Sequence, residues 1–319
     1  MEDRRGYIWY DGELKPWNEV RVHVLTHTLH YGTGVFEGIR AYEARKGTAV
    51  FRLEDHVSRL FRSARILNIP IPCPPAEVTA ACLEAVSANQ LQTAYIRPMC
   101  FLGAEGLGLR TDNLSSHLIV AAWHWDTYLG PKALEQGIRV KTSSFTKLHV
   151  NSGMCKAKVN GNYVNSMLAL QEARASGCEE ALLLDTDGYV AECSGENIFI
   201  VRDGRIYTPE ATAALEGITR DTVLRIAEDR GLNAREKRIT RDEVYGADEV
   251  FLTGTAAEVT PVRELDSRQI GTGGRGPITE RLQRLYFDHV HGRSEAHGEW
   301  LHYLDGARNA QRQPRRHAG

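Results

Sequence analysis

The sequence lacks the features that mark disulfide-rich, membrane-spanning or secreted proteins. Its 319 residues include six scattered cysteines with no C-x-x-C pair, so neither a disulfide framework nor a zinc site is expected. No run approaches the roughly 18 apolar residues of a membrane helix. The opening Met-Glu-Asp-Arg-Arg lacks the apolar segment of a secretory signal. We therefore expect reduced cysteines and a cytoplasmic protein.

An excess of one charge sign is also lacking. The chain has 39 Lys and Arg against 41 Asp and Glu, a net charge of −2, so no surface for nucleic acid or an anionic membrane is indicated. Lysine itself is scarce, since only eight of the 39 basic residues are lysines. Two of the eight, Lys156 and Lys158, stand in one K-A-K triplet. This triplet is where we look first for amine chemistry.

Hydrophobic patterns predict a mixed α/β (α+β) fold. Residues 7–10 run into Asp11-Gly12, a strong hairpin signal, and the alternation of residues 19–27 favours a strand after it. Residues 53–67 place apolar side chains on one helical stripe. Further helices are predicted at 76–89, 161–176, 219–230 and 277–290, and further strands at 93–102, 117–123, 138–144, 181–185, 188–193, 197–201 and 249–255.

Turn residues divide this pattern into two units. The stretch 124–137 is rich in turn residues and lies between two groups of helices and strands. We therefore expect a small N-terminal domain at 1–123, a connector at 124–137 and a larger C-terminal domain at 138–305, with a cleft between the domains. The polar, Arg-rich residues 306–319 predict a mobile tail.

Two short motifs point to other functions but are weak. A G-x-G-x-x-G string at 271–276 lies too near the chain end for a dinucleotide-binding βαβ unit, so a surface turn is favoured. His23, His27 and His30 have the spacing of one helical face. Their segment is predicted as a strand, however, on which they would not converge on a metal. No metal site is predicted, and no G-x-S-x-G nucleophile motif occurs.

Four polar features in the second half of the chain suit a single cleft. Lys158 precedes a predicted helix, and Glu192 lies within a predicted strand, where a carboxylate needs a partner. Residues 217–221 open a helix whose free N–H groups suit an anion, and 253–257 end a strand with small residues. An enzyme that uses pyridoxal 5'-phosphate (PLP) needs such an amine, acid and phosphate cradle. An ordinary buried ion pair would also explain the charges, and these features do not separate Lys158 from Lys156.

Longer motifs carry a resemblance to a known family. They are H-x-L-H-Y-G-T-G-V-F-E-G-I-R at 27–40, A-Y-I-R-P at 94–98, K-V-N-G-N-Y-V-N-S at 158–166, E-C-S-G-E-N-I-F at 192–199, L-E-G-I-T-R-D at 215–221 and G-T-A-A-E-V-T-P-V at 254–262. Through them the chain resembles, from about residue 7 to about residue 301, the branched-chain amino acid aminotransferases. The resemblance implies the two-domain architecture of PLP fold type IV, with the cofactor in the interdomain cleft. It also implies a homodimer or higher homo-oligomer.

The resemblance implies a role for each candidate cofactor residue. In this family the catalytic Schiff-base lysine stands five residues before the Tyr of the N-Y pair, which selects Lys158 over Lys156. The other implied contacts are Arg59 and Thr255 with the phosphate, Ile218 and Thr219 with the same group through the helix start, Tyr163 with the phenolic oxygen, and Glu192 with the pyridine nitrogen.

The resemblance also implies a substrate pocket with apolar walls and one cationic group. Arg97 and a tyrosine hydroxyl would accept the distal carboxylate of glutamate in the pocket that takes branched side chains. Two residues would reach the partner subunit's pocket, namely Tyr31 and, in the loop 107–109, Leu109. The implied substrate-binding residues are Tyr31, Phe36, Gly38, Arg40, Tyr95, Arg97, Leu109, Trp125, Tyr128, Thr255 and Ala256.

We therefore expect reversible, PLP-dependent transamination of L-leucine, L-isoleucine and L-valine with 2-oxoglutarate. One rival is a D-amino acid or (R)-amine transaminase on the same scaffold, which should alter the set Tyr95, Arg97 and 107–109. A second is a PLP lyase acting on aminodeoxychorismate, whose dianionic substrate would need more cationic pocket residues. A third, an inactive binding protein, is disfavoured because Lys158, Glu192 and Arg59 are all present.

Overall fold

The fold is described for residues 5–126 and 130–304 in a computed structural model. The strands there are β1 (Tyr7–Tyr10), β2 (Glu13–Pro16), β3 (Gly34–Phe36), β4 (Ile39–Ala44), β5 (Gly47–Phe51), β6 (Ala94–Leu102), β7 (Ser116–Trp123), β8 (Ile138–Thr142), β9 (Glu180–Leu184), β10 (Val190–Cys193), β11 (Asn197–Arg202), β12 (Arg205–Thr208), β13 (Ala234–Glu236), β14 (Glu249–Gly254), β15 (Glu258–Leu265), β16 (Arg268–Gln269) and β17 (Leu301–Tyr303). The helices are α1 (His27–Tyr31), α2 (Leu53–Ile66), α3 (Pro75–Ala88), α4 (Pro131–Gln136), α5 (Tyr163–Ala175), α6 (Ile218–Asp229), α7 (Arg241–Tyr245) and α8 (Pro277–Val290).

Two sheets organise these elements. The first has the order β17-β5-β4-β6-β7-β1-β2 with β3 beside β6, and its pairs are antiparallel. The second has the order β10-β9-β8-β15-β14-β11-β12-β13 with β16 beside β15. It is mixed, because β8 runs parallel to both β9 and β15. The predicted mixed α/β class is confirmed.

The sheets divide the chain between β7 and β8, apart from the last strand. β17 returns to the first sheet, where Leu301 pairs with Phe51. The domain boundaries stay a prediction. The connector predicted at 124–137 contains α4, while its residues 127–129 and the tail 306–319 lie outside the described residues.

Helix α2 shows how the sequence pattern positions a functional side chain. Leu53, Val57 and Leu60 recur at helical spacing, are at most 2% exposed, and pack into the apolar cluster beneath the first sheet. Arg59 lies between them in sequence and is also buried. Because it projects from another side of the same rigid helix, the packing of the apolar stripe fixes where its guanidinium lies.

The first predicted hairpin is confirmed, and its turn has the expected chemistry. Asp11 and Gly12 have φ angles of 47° and 97°, and the flanking residues Tyr10 and Glu13 pair in register. A two-residue turn with positive φ at both positions matches the twist of the adjoining strands, and glycine reaches such angles at little cost.

The strand predicted at 19–27 is wrong. Residues 20–26 belong to no strand or helix, and helix α1 begins at His27. Val22 and Val24 are 45% and 75% exposed, so the alternating pattern does not mark a half-buried strand. Alternation predicts a strand only where one face is covered by a core and an edge is free for pairing.

Candidate active site

A cavity of about 440 Å³ opens where the two sheets meet. Strands β3, β6 and β7 of the first sheet supply one wall, and strands β10, β11 and β14 with the start of α6 supply the other. Its lining residues are Phe36, Gly38, Arg59, Tyr95, Arg97, Met99, Trp123, Trp125, Lys158, Asn160, Tyr163, Glu192, Gly195, Glu196, Asn197, Leu215, Gly217, Ile218, Thr219, Thr253, Gly254, Thr255 and Ala256.

Lys158 brings its amine into this cavity. Its Nζ donates to Tyr163 Oη at 2.6 Å and lies 5.0 Å from the centre of the Phe36 ring. Two backbone contacts hold the residue in place. Its N–H donates to Ser63 Oγ at 3.0 Å, and its carbonyl oxygen accepts from the Phe36 N–H at 3.1 Å. The amine is therefore fixed beside a phenol at the edge of the cavity.

Lys156, the other lysine of the triplet, points away from the cavity. Its Nζ contacts the carbonyl oxygen of Ala211 and lies 3.4 Å from Glu216 Oε1. It is not among the cavity's lining residues. The geometry therefore separates two lysines that the residue pattern alone left equivalent.

Arg59 is held at the cavity wall by a buried carboxylate. Its Nε donates to Glu37 Oε1 at 2.6 Å and its Nη2 to Glu37 Oε2 at 2.8 Å, while Nη1 donates to the Glu216 carbonyl oxygen at 2.9 Å. His56 Nδ1 lies 2.7 Å from Glu37 Oε2. A guanidinium has five N–H donors, so two remain on the terminal nitrogens. The bidentate pair orients these two for an anion.

An anion cradle lies next to Arg59 at the start of α6. The residue that caps this helix is Gly217, and the first N–H groups of a helix have no acceptor within it. A Cβ at Gly217 would overlap with the Asn197 side chain, so the close approach requires glycine. Thr255 and Ala256 add the turn after β14. A phosphate-sized dianion suits these groups.

Glu192 forms the acidic part of the cavity on β10. It is buried, at 8% exposure, and its Oε1 lies 2.7 Å from Lys147 Nζ. Its Oε2 accepts from the Leu215 N–H at 3.2 Å and from Asn197 Nδ2 at 3.4 Å. Three partners leave one of a carboxylate's roughly four acceptor positions for a ligand.

Aromatic side chains and one arginine form the opposite end of the cavity. Arg97 Nη2 donates to Tyr95 Oη at 3.3 Å, and the guanidinium carbon lies 4.6 Å from the Phe36 ring centre. The Tyr95 ring lies 5.2 Å from that of Trp123 and 5.1 Å from that of Trp125. This end can therefore accept an apolar group against the rings or a carboxylate at the arginine.

Two features suit the aromatic end of the cavity to a ligand. One is a glycine packed against a ring, and the other is a pair of buried N–H donors without a hydrogen-bond partner among the described residues. A Cβ at Gly38 would overlap with the Tyr95 hydroxyl, so any other residue would displace that ring. Arg97 Nε and Trp123 Nε1 are buried and have no hydrogen-bond partner within residues 5–126 and 130–304. Because buried donors are usually satisfied, these two are suited to bind a polar substrate group.

The comparison with protein families identifies the chain. The family described as amino-transferase class IV matches residues 34–265, a range that contains all of the lining residues named above. The chain belongs to this family.

Relatives of this aminotransferase place it more narrowly. A branched-chain-amino-acid aminotransferase of Pseudomonas aeruginosa is 62% identical over 300 residues, which cover 94% of this chain and 98% of the relative. The crystal structure of a T.th. branched-chain amino acid aminotransferase with pyridoxamine 5'-phosphate has a TM-score of 0.92 and 51% identity, and covers 94% of this chain and 99% of that one. The same T.th. enzyme complexed with N-(5'-phosphopyridoxyl)-L-glutamate has a TM-score of 0.91, 50% identity and the same coverage. The resemblance to this family and the fold type IV architecture are confirmed.

Most of the residues predicted for the aminotransferase site line the cavity. Three predicted substrate residues among the described ones do not. Tyr31 is 45% exposed and accepts a hydrogen bond from the Gly108 N–H at 3.1 Å, and Leu109 is 89% exposed. Both belong to the outer surface of this chain. Tyr128 lies outside the described residues.

Arg40 is the third of these residues, and it lies behind the cavity. It is 5% exposed, its Nη1 is 3.7 Å from Glu258 Oε1, and its guanidinium carbon is 4.8 Å from the centre of the Tyr42 ring. Its Nε and Nη1 are buried without a hydrogen-bond partner in the part of the chain that the structure describes. Its predicted contact with substrate stays a prediction.

Several residues of the aminotransferase site were missed by sequence reasoning. Glu37 stands inside the quoted F-E-G-I-R motif, where a carboxylate among apolar residues was an available signal. Lys147 carries no sequence signal, because its contact with Glu192 depends on the sheet. Asn197 stands inside the quoted E-C-S-G-E-N-I-F motif, but no role was assigned to it there. Further lining residues that were not predicted are Met99, Trp123, Asn160, Gly195, Glu196 and Leu215, whereas Gly217, Thr253 and Gly254 lie in the predicted segments 217–221 and 253–257 without an individual role.

The weaker motifs lie elsewhere in the molecule. His27 and His30 belong to helix α1 and not to a strand, and His27 Nε2 lies 2.8 Å from the Gly108 carbonyl oxygen. Over residues 5–126 and 130–304 no group of three or more His, Cys, Asp or Glu side chains could hold a metal ion. Residues 271–274 form a turn ahead of α8. No helix among the described residues has the length and apolar character needed to cross a membrane.

Proposed function

We propose that the chain transfers the amino group of branched-chain L-amino acids to 2-oxoglutarate, reversibly and with PLP as cofactor. The observation that carries this proposal is one cavity lined by an amine, a carboxylate and a two-part anion cradle. These groups are Lys158, Glu192, and Arg59 with the start of α6. They correspond to the aldehyde, the ring nitrogen and the phosphate of PLP.

The cavity's groups fit the cofactor in charge and in hydrogen-bonding capacity. Lys158 would bind its aldehyde carbon, and Tyr163, already 2.6 Å from that amine, would donate to the phenolic oxygen. Glu192 has an acceptor position left for the ring nitrogen. The two remaining N–H groups of Arg59, the helix start and Thr255 would hold the phosphate.

The chemistry divides between cofactor and protein. When bound, PLP supplies an electron-accepting ring that stabilises negative charge at the substrate Cα. Glu192 would pair with the ring nitrogen and so keep it protonated. Lys158, whose amine lies in the cavity beside Tyr163, would as a neutral amine be the base that moves the proton from the substrate Cα.

The aromatic end of the cavity would take both substrates in turn. The rings of Phe36, Tyr95 and Trp125 suit a branched hydrocarbon, and Arg97 suits the distal carboxylate of 2-oxoglutarate. The T.th. relative bound to a phosphopyridoxyl-glutamate supports the second assignment. Catalysis in both directions requires one pocket to accommodate both side chains.

An amino-donor panel tests the proposed function. The purified protein, loaded with PLP, is given each of the three branched-chain amino acids, glutamate and their D-enantiomers in single half-reactions followed by absorbance. We expect L-leucine, L-isoleucine, L-valine and L-glutamate to react and the D-enantiomers to fail. Reaction with D-amino acids alone, or failure of L-glutamate, would contradict the proposal.

Arg97→Ala should impair the reaction with 2-oxoglutarate more than that with leucine. Removing a charge-assisted contact costs about 1.5–3 kcal/mol, which corresponds to roughly 10- to 100-fold in kcat/KM. Leucine places no charge at this site and should lose little. Separate half-reactions measure the two effects. Arg45→Ala, in the exposed turn before β5, is the control, and equal losses for both substrates would reject the role of Arg97.

Glu192→Gln should retain the cofactor but lose most of kcat. The phosphate cradle is untouched, whereas the ring nitrogen loses the carboxylate that keeps it protonated, at a cost of about 100-fold or more in rate. Cofactor content after dialysis and single-turnover rates measure the two properties. Glu264→Gln, on β15 away from the cavity, is the control. An unchanged rate would show that Glu192 has been misassigned.

We also infer that two copies of the chain associate through the surface that carries Tyr31 and Leu109. Val24, Leu29 and Leu109 are 75%, 62% and 89% exposed, and apolar patches of this kind mark protein interfaces. His27 and Tyr31 both bond to Gly108 and so hold the loop 107–109 in place. A cytoplasmic location stays a prediction.

A further inference from the structure

A second lysine, Lys147, lies against the acid of the cavity. Its Nζ is 2.7 Å from Glu192 Oε1, and the two side chains are only 14% and 11% exposed. Lys147 is held at this position because its N–H donates to the carbonyl oxygen of Leu184 at the end of β9. The backbone of Lys147 is therefore tied to the sheet, and its side chain pairs with Glu192 from outside the main cavity.

The ion pair of Lys147 and Glu192 is buried, so the charge of each side chain depends on the other. Burial works against the charged form of Lys147, but the neighbouring Glu192 carboxylate outweighs it and raises the pKa of the lysine. A buried carboxylate that loses its cation is strongly destabilised and takes up a proton more readily. The other titratable groups that face the pair are Lys158, Tyr163, Cys155, Cys193 and Glu196.

We propose that Lys147 is a positioning residue that keeps Glu192 ionised and aimed into the cavity, ready to accept the protonated ring nitrogen of the cofactor. Lys147 does not line the main cavity, so it acts through Glu192. This role rests on the proposed use of PLP and adds a residue to it. Of the eight lysines of the chain, Lys158 would then carry the chemistry, and Lys147 would set the charge of Glu192.

The proposal predicts a pH dependence with a definite sign. In the wild type, the Lys147 ammonium 2.7 Å from Glu192 would favour its carboxylate form, which can pair with a protonated ring without proton exchange. In Lys147→Met, the Glu192 carboxyl would hold a proton at lower pH. The carboxyl and the ring nitrogen would then each carry a proton, and one of these two protons must leave before the two groups can pair. Affinity should then fall by up to about tenfold for each pH unit below that ionisation, and cofactor binding should release a proton.

Pyridoxamine 5'-phosphate is the probe, because it forms no covalent bond to Lys158 and so reports the non-covalent contacts. Titration calorimetry from about pH 8.5 to about pH 6, in buffers of different ionisation enthalpy, measures both affinity and proton release. Ionisation of the probe's phosphate is common to all variants and cancels when they are compared. We expect Lys147→Met to bind roughly 10-fold or more weakly at the acid end, and Lys147→Arg to follow the wild type.

Matched variants separate the possible results. Lys141→Met, on β8 and outside the cavity, should bind as the wild type does. In a Glu192→Gln background, Lys147→Met should have no further effect, since no carboxylate remains to be charged. Should Lys147→Met fail to fold, Lys147→Gln answers the same question. An unchanged pH profile in the lysine variant, or an equal loss in the Glu192→Gln background, would overturn the proposal. Absence of binding to the wild type would instead overturn the use of PLP.

Discussion

Replacing Lys158 with alanine should abolish transamination and remove the long-wavelength absorbance of the bound cofactor. The amine lies in the cavity, 2.6 Å from Tyr163 Oη, with its backbone bonded to Ser63 and Phe36. No other lysine lines the cavity among the described residues. Loss of both the covalent attachment and the base that moves the Cα proton should lower the rate by at least about 1000-fold. Single-turnover kinetics and absorbance spectra measure the two losses.

Lys156→Ala provides a matched control two residues away. It removes the same functional group from the same triplet, but its Nζ contacts Ala211 and Glu216 and not the cavity. We expect this variant to keep its absorbance and most of its rate. Normal turnover in Lys158→Ala, or the reverse ranking of the two variants, would refute the central assignment.

The choice between these lysines shows what the residue pattern can and cannot predict. Lysines two apart in an irregular segment have no period that assigns each to a face, so the pattern alone left both open. Resemblance to the aminotransferases selected Lys158, and the fold places only that amine in the cavity. The direction of a side chain outside regular structure depends on tertiary contacts, here the hydrogen bond from the Lys158 N–H to Ser63.

Elements with strong local patterns were predictable, whereas β15 was not. Helices α2 and α8 begin and end within a residue of their predicted limits, because caps, prolines and apolar stripes are local signals. Strand β15 lies between β8 and β14 inside the second sheet. It contains Pro261, and proline argues against a central strand. Its pairing with β8 begins only at Val262, so the ladder on that side does not require the missing N–H.

The charged residues behind the site were the hardest to predict. Lys147 and Glu192 are 45 positions apart in sequence and meet only because β8, β9 and β10 are neighbours in the sheet. Glu37 and Arg59 meet because α2 packs against β3. Sequence reasoning assigned most of the residues proposed to touch the cofactor but missed those that hold them. Glu37 stands inside a quoted motif without a role there, and Lys147 has no motif at all.

Glu37→Gln should therefore have a large effect although Glu37 does not line the cavity. The carboxylate is fully buried and accepts from Arg59 through both oxygens and from His56. Burial alone would raise the pKa of Glu37, but the Arg59 guanidinium and His56 outweigh it and lower that pKa well below its usual range. Removing the charge leaves Arg59 buried without its counter-ion, at a cost of about 3–5 kcal/mol. Urea unfolding of the cofactor-free protein measures this loss.

Two further measurements distinguish a lost counter-ion from a general packing defect. A group with a lowered pKa in the folded state contributes stability at neutral pH and loses it as acid protonates the carboxyl. The wild type and Glu37→Gln should therefore converge in stability at low pH. Adding Arg59→Met to Glu37→Gln removes the unpaired charge and should restore part of the stability. A double variant less stable than Glu37→Gln, or a stability difference independent of pH, would show that the carboxylate does not act by balancing Arg59.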